Sequence, residues 1–246
     1  MNGLDALFVG PHPDDVELTS GGLAALLASH GHRVGIVDLT RGELGSRGTP
    51  EERAREAELA ARELGVALRE NLGLPDLGLD RARREQLAAV VACLRRHRPR
   101  LVVAPDSDDA HPDHVEAAHL VARACYVAGL ARFEGGEGRH RPERLLFALY
   151  RTGARPQLVV DVSAVWARRW AAIQAHRSQL GSGPAAGGPV TYLTPPGFLA
   201  EIEGRARHWG ALVGAAYGEG YRSRGPLAVT DARVLISGAH AAAGGA

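Results

Sequence analysis

Two short stretches of this sequence carry the side chains that metal-assisted hydrolysis needs. The first is Gly10-Pro11-His12-Pro13-Asp14-Asp15, with an imidazole and two carboxylates fenced by two prolines. The second runs from Asp106 to His114 and reads Asp-Ser-Asp-Asp-Ala-His-Pro-Asp-His, offering His111 and His114. Proline fixes φ and keeps each stretch out of a regular helix, so neighbouring side chains can converge on one point. His12, Asp15 and one of His111 or His114 would form a three-ligand zinc site with an open position, where bound water ionises near neutrality. Iron(II) accepts the same ligands. Asp14 points away from its neighbour Asp15 in an extended turn and could face that water as general base. The histidine left off the metal could stabilise an oxyanion or protonate a leaving amine. These roles describe hydrolysis of an amide or ester.

A single histidine at a strand end is more often a hydrogen-bonded structural residue, and His-Pro-Asp-Asp alone could cap the next helix through an Asx-type turn. Two such clusters, each directly after an apolar run, outweigh that reading. The runs are Ala6-Leu7-Phe8-Val9 and Leu101-Val102-Val103-Ala104, both patterned as buried strands. In an α/β sheet, ligands bind beyond the carboxyl ends of the strands, where both clusters fall.

The remaining elements alternate. Arg33–Leu39 reads as a second strand, followed by a loop to Gly48. Thr49-Pro50-Glu51-Glu52 opens a helix with a capping hydroxyl, proline at the first position and early acidic residues, and that helix stops at Gly65. Ala67–Leu72 reads as a short strand, Asp80–His97 as a helix, and Val115–Ala128 as the helix after the fourth strand. Further on, strands are expected at Leu145–Tyr150 and Gln157–Val162, and a helix at Ser163–Gln179. A mobile loop is expected at Gly181–Pro189, then a helix at Pro196–Tyr217 and a last strand at Leu227–Ile236. The order implies a parallel sheet with right-handed crossovers. Residues 1–236 read as one domain and residues 237–246 as a disordered tail.

Composition sets the outer bounds. The 246 residues are 45% hydrophobic and 23% charged with net charge +1, which gives no electrostatic argument for a nucleic-acid or membrane partner. No signal peptide or membrane-length apolar run is visible, and Cys93 and Cys125 read as buried thiols of a reducing cytosol, so a cytoplasmic location is expected. Neither Gly-x-Gly-x-x-Gly nor Gly-x-x-x-x-Gly-Lys-Ser/Thr is present, which speaks against a non-catalytic nucleotide-binding module. Magnesium-dependent phosphoryl transfer would ask for oxygen ligands, whereas this site is rich in imidazole. His30, His32, His97, His119, His140 and His240 read as solvated or helix-surface residues, the three tryptophans as packing, and Arg81–Arg84 as a solvated helix face.

Pro-His-Pro-Asp-Asp-Val-Glu17 followed by the distant His111-Pro-Asp-His114 resembles the PIG-L/LmbE-like zinc-dependent N-deacetylases. The segments Asp38–Thr49, Arg69–Asp76, Ala175–Gln179 and Tyr217–Arg224 are similar to the bacillithiol-pathway N-acetylglucosaminyl-malate deacetylases. The resemblance implies a Rossmann-like α/β fold, a three-layer sandwich around a mostly parallel sheet. It also implies His12, Asp15 and His114 as zinc ligands, Asp14 as general base, and His111 as a charged partner of the tetrahedral intermediate. Arg53, Tyr192 and Arg47 would contact substrate, an N-acetylglucosamine conjugate with malate as the aglycone or, as the alternative, another N-acetyl sugar conjugate such as another thiol precursor or a secondary metabolite, and the chain would assemble as a trimer or hexamer. The sequence departs from that branch at Ala110, where those relatives often carry an arginine suited to a carboxylate.

Overall fold

The computed structural model describes residues 3–136, 138–151, 153–182 and 187–228. Strand β1 (Ala6–Gly10) is buried along its whole length, as a strand covered on both faces must be. Strands β2 (Val34–Thr40), β3 (Leu68–Leu74), β4 (Leu101–Pro105) and β5 (Arg144–Ala148) extend the sheet from it in parallel. With β6 (Leu158–Asp161) and β7 (Gly218–Ser223) the sheet has seven strands in the order β3-β2-β1-β4-β5-β7-β6. The helices are α1 (Asp15–Thr19), α2 (Gly21–Ser29), α3 (Pro50–Leu64), α4 (Arg84–His97), α5 (Pro112–Val127), α6 (Trp166–Ala175), α7 (Arg177–Leu180) and α8 (Pro196–Leu212).

Successive side chains of a strand leave opposite faces, and the two cores follow that rule. Leu7 and Val9 of β1 pack with Leu87, Val91 and Leu94 of α4 and Leu120 of α5. Ala6 and Phe8 pack on the other side with Leu23 of α2, Leu64 of α3 and Ala172 of α6. The result is the expected helix–sheet–helix sandwich. Helix α3 begins as its sequence predicts: the Thr49 hydroxyl accepts from the Glu52 N–H at 3.1 Å, and Gly65 closes the helix with φ of 73°.

Strand order fixes where the chemistry lies. The chain goes outward from β1 to β2 and β3, then crosses back so that β4 lies on the other side of β1. The crevice beyond the carboxyl ends of β1 and β4 is therefore a topological switch point, and His12–Asp15 and His111–His114 both open onto it.

Several elements differ from the sequence reading. Helix α8 stops at Leu212, and the chain then forms β7, antiparallel to both β5 and β6. Gly-Glu-Gly-Tyr shows no apolar alternation because two of its inward side chains are polar. Glu219 is wholly buried and accepts from the N–H groups of Gly22 (2.7 Å) and Leu23 (2.8 Å) and from the Tyr221 hydroxyl (2.6 Å), and it meets Arg169 Nε at 3.1 Å. Glycine is required at 218, since a Cβ there would lie 2.7 Å from the backbone nitrogen of Gly210. The predicted helix at 163–179 is a 3-10 turn (Ser163–Val165) and α6, then, after a break at His176, α7. His97, at the partly exposed end of α4, is engaged, with its Nε2 2.7 Å from Glu70. Most of the strand expected at 227–236, and the tail at 237–246, fall outside the described residues. Among the described residues no helix is long and apolar enough to cross a membrane.

Candidate metal and catalytic centre

Because β1 and β4 are neighbours, the two proline-fenced clusters face each other. The His12 ring centroid is 4.9 Å from that of His111 and 5.6 Å from that of His114. Asp15, the first residue of α1, lies between two of these rings. Its Oδ2 is 3.1 Å from His12 Nδ1 and its Oδ1 is 3.3 Å from His114 Nε2. The opposite nitrogen of each ring is held from outside. His12 Nε2 is 3.1 Å from Asp76 and 3.3 Å from Asp113, while His114 Nδ1 is 2.9 Å from Asp109. Each imidazole thus has a carboxylate at its outer nitrogen and turns its other nitrogen toward Asp15. Carboxylates in that outer position orient metal-binding histidines and fix their tautomer.

The electrostatics agree with the geometry. Burial alone would lower the His12 pKa, but the carboxylates of Asp113, Asp15 and Asp76 overcome it and raise it to about 12. His114 is likewise raised against its burial, to about 10, by Asp15 and Asp109. Asp15 is buried, yet His114 and His12 hold its carboxyl well below the usual range. Cationic charge is therefore strongly favoured here, and a divalent ion can supply it in place of the ring protons. Among the described residues His12, His111 and His114 each bring a ring nitrogen within 4.8 Å of the other two, with the Asp15 carboxylate beside His12 and His114, and imidazole and carboxylate donors of this kind suit zinc or iron(II).

Asp14 is placed for different work. Its φ of 153° lies outside the regions open to most L-residues, a strain of the kind that collects at functional sites. Burial raises its carboxyl to about 6, although Arg53 pulls the other way. Arg53 is itself buried, with Nη2 3.4 Å from Asp14 Oδ1 and 3.3 Å from the Pro13 carbonyl, and Nη1 3.1 Å from the Gly42 carbonyl. The arginine expected to touch substrate is thus also a brace for Asp14.

His111 caps α5, its Nδ1 accepting from the Asp113 N–H at 3.2 Å. The ring proton must then sit on Nε2. Burial and the cationic neighbours His114 and His12 hold its pKa below the ordinary histidine value. The Nε2–H is thus the donor that His111 can turn toward the cavity.

A cavity of about 630 Å³ opens over these residues, bordered by Leu44, Leu77, Tyr150, Arg151, Tyr192 and Leu193 beside the site itself. Tyr192 borders it, its hydroxyl donating to Glu201 at 3.0 Å. Arg47 does not line it. Its guanidinium donates to the carbonyls of Ser178 (2.8 Å), Pro189 (2.8 Å) and Gly187 (3.1 Å), pinning a loop next to the site. Tyr150 is the functional candidate that the sequence reading passed over. It follows β5, its ring centroid is 6.0 Å from that of His114, and Arg205 backs it at 4.9 Å. Its signal was there to find, as a tyrosine directly after an apolar strand run. Asp76, likewise at a strand's carboxyl end, and Asp109 and Asp113, inside the second motif, are the orienting carboxylates that were also missed.

The family described as PIG-L, GlcNAc-PI de-N-acetylase, matches residues 7–125. The diacetylchitobiose deacetylase of Thermococcus kodakarensis is 30% identical over 231 residues, covering 88% of this chain and 81% of that protein. The 1D-myo-inositol 2-acetamido-2-deoxy-alpha-D-glucopyranoside deacetylase of Saccharomonospora viridis is 31% identical over 233 residues, covering 72% of this chain and 86% of that one. A 4-oxalmesaconate hydratase of Pseudomonas putida is 27% identical over 71% of this chain and 73% of its own length. Among solved structures, the conserved protein TT1542 of Thermus thermophilus superposes with a TM-score of 0.82 at 40% identity, covering 92% of this chain and 97% of that one.

Proposed function

This chain belongs to the PIG-L, or GlcNAc-PI de-N-acetylase, family, and from that premise we propose that it is a metal-dependent hydrolase removing the N-acetyl group from an N-acetylglucosamine conjugate with an uncharged aglycone. The observation that carries the reading is the pair of imidazoles turned toward Asp15 from outer carboxylates, with Asp14 buried beside them. His12, Asp15 and His114 would hold the metal. A zinc ion held by them would supply a water of lowered pKa and a Lewis acid for the carbonyl.

The other steps fall to the chain's own side chains. Asp14 is held in place by Arg53 and takes the proton of the attacking water on its carboxylate, which the nitrogen of the departing amine then receives. His111 donates from Nε2 toward the oxygen on which charge builds, without itself needing a proton from solution. Tyr150 and Tyr192 offer aromatic surfaces for the sugar on the cavity wall.

The aglycone reading rests on what the cavity offers. A malate carboxylate calls for a guanidinium fork. Of the arginines bordering the cavity, Arg53 is engaged by Asp14 and two carbonyls, and Arg151 stands on the exposed rim, weakly paired with the equally exposed Asp108 at 3.6 Å. Position 110 is alanine, and Arg47 is turned away. Leu44, Leu77 and Leu193 on the rim suit the face of a second sugar or a cyclitol, in line with the names of the two deacetylase relatives.

The test is amine release by metal-stripped protein, with and without added zinc, from N,N′-diacetylchitobiose, an N-acetylglucosaminyl-inositol, N-acetylglucosaminyl-malate and plain N-acetylglucosamine. We expect zinc-restored turnover that is fastest on the two uncharged conjugates. Preference for the malate conjugate would overturn the aglycone reading and keep the deacetylase. Absence of amine from every substrate, with hydration of an unsaturated dicarboxylate by the same reloaded protein, would favour the hydratase relatives instead.

A further inference from the structure

Among the described residues outside the site just described, one cluster carries metal-binding chemistry that deacetylation does not use. Cys93 and His97 stand four residues apart on α4 and therefore share a face, and Glu70 projects from β3 to meet them. One donor atom from each of the three lies within 4.8 Å of the other two. We propose that Glu70, Cys93 and His97 form a second, structural site for a thiolate-binding divalent cation of the zinc type.

The contacts present explain part of this cluster without a metal, but not all of it. His97 Nε2 is 2.7 Å from Glu70 Oε2, and Arg96 pairs with the other oxygen of the same carboxylate. That ion pair accounts for the imidazole, the carboxylate and the guanidinium. Core packing accounts for the burial of Cys93, but not for its sulfur standing beside an imidazole and a carboxylate. Cys125 supplies the contrast: it is as deeply buried in the same core, yet among the described residues no histidine–carboxylate group gathers around it. Cysteine, histidine and glutamate together make a donor set that zinc accepts, with water as fourth ligand.

Binding asks for modest changes. Zinc–ligand bonds of about 2.0–2.3 Å require the three donors to draw together by a fraction of their present spacing. The half-exposed Arg96 must release Glu70 into solvent, and the thiol proton passes to the buffer as the metal–sulfur bond forms. Burial and the Glu70 carboxylate push the free Cys93 thiol up to about 12, so the apo protein holds it protonated and binding must release that proton. The bound ion would clamp β3 to α4. The turn after β3 carries Asp76, which orients His12, so the clamp and the catalytic centre share one strand.

Cobalt(II) is the probe, because the first site has no sulfur. The full-length, metal-stripped chain is titrated with cobalt(II) while the near-ultraviolet thiolate-to-cobalt charge-transfer band is followed. Two equivalents should bind, the band should grow with one of them, and zinc should bleach it. Cys93→Ser should lose both the band and one equivalent while keeping its deacetylase turnover. His97→Ala, at a partly exposed position, should also lose the band. Cys125→Ser should keep it. A single equivalent with no band, or a band that survives in Cys93→Ser, overturns the proposal.

Discussion

Glu219 and Asp14 are both buried carboxylates with an arginine beside them, and their surroundings differ in how fully they are occupied. Both oxygens of Glu219 are engaged by two backbone N–H groups, a tyrosine hydroxyl and Arg169. Asp14 has one arginine contact of 3.4 Å and borders an open cavity. The saturated carboxylate ties β7 to the start of α2 and has no capacity left for a reacting group. The unsaturated one is held in a strained backbone with an oxygen available to a water. Residue type and burial alone do not separate structural from chemical acids; occupancy of the lone pairs does.

Four substitutions probe that contrast. Asp14→Asn removes the base without removing volume, and turnover should fall by about 10²–10⁴-fold, the usual contribution of a positioned general base. Its metal content and melting temperature should stay near those of the parent; turnover within tenfold of the parent would show that Asp14 is not the base. Glu219→Gln should do the reverse. It leaves Arg169 buried against a neutral amide and should cost about 3–5 kcal/mol in urea unfolding. Activity per folded molecule should hold, and a large drop in kcat would mean that β7 reaches the chemistry after all.

A smaller effect is expected from Asp113→Asn. It weakens an outer hold on His12, so zinc affinity measured by chelator competition should drop by about 10–100-fold. Unchanged affinity would mean that Asp76 alone orients the ring. Thr49→Ala sets the scale of a purely local contact: loss of one helix cap should cost about 1 kcal/mol in the same unfolding experiment and leave metal binding untouched.

The sequence by itself determined the two proline-fenced clusters, the strands that present them, and the capped helix α3. Each of these is written in residues that are neighbours along the chain. His12, Asp14, Asp15, His111 and His114 were all legible because their types and spacing are local, and the arrival of both clusters in one crevice follows from the α/β alternation. Tertiary structure decided the rest. His12 meets Asp76 across 64 positions, and that pairing depends on β3 and β1 being brought to one end of the sheet. Arg47 and Arg53 were readable as cations near the site, yet only packing shows one spent on loop carbonyls and the other on Asp14. Strand β7 was hidden for a related reason. Its inward Glu219 and Tyr221 are polar residues whose partners, Gly22, Leu23 and Arg169, lie far away in sequence, so no local hydrophobic period marks them as buried. A chain records its local preferences in order, whereas the satisfaction of a buried polar group is a property of the surroundings that folding assembles.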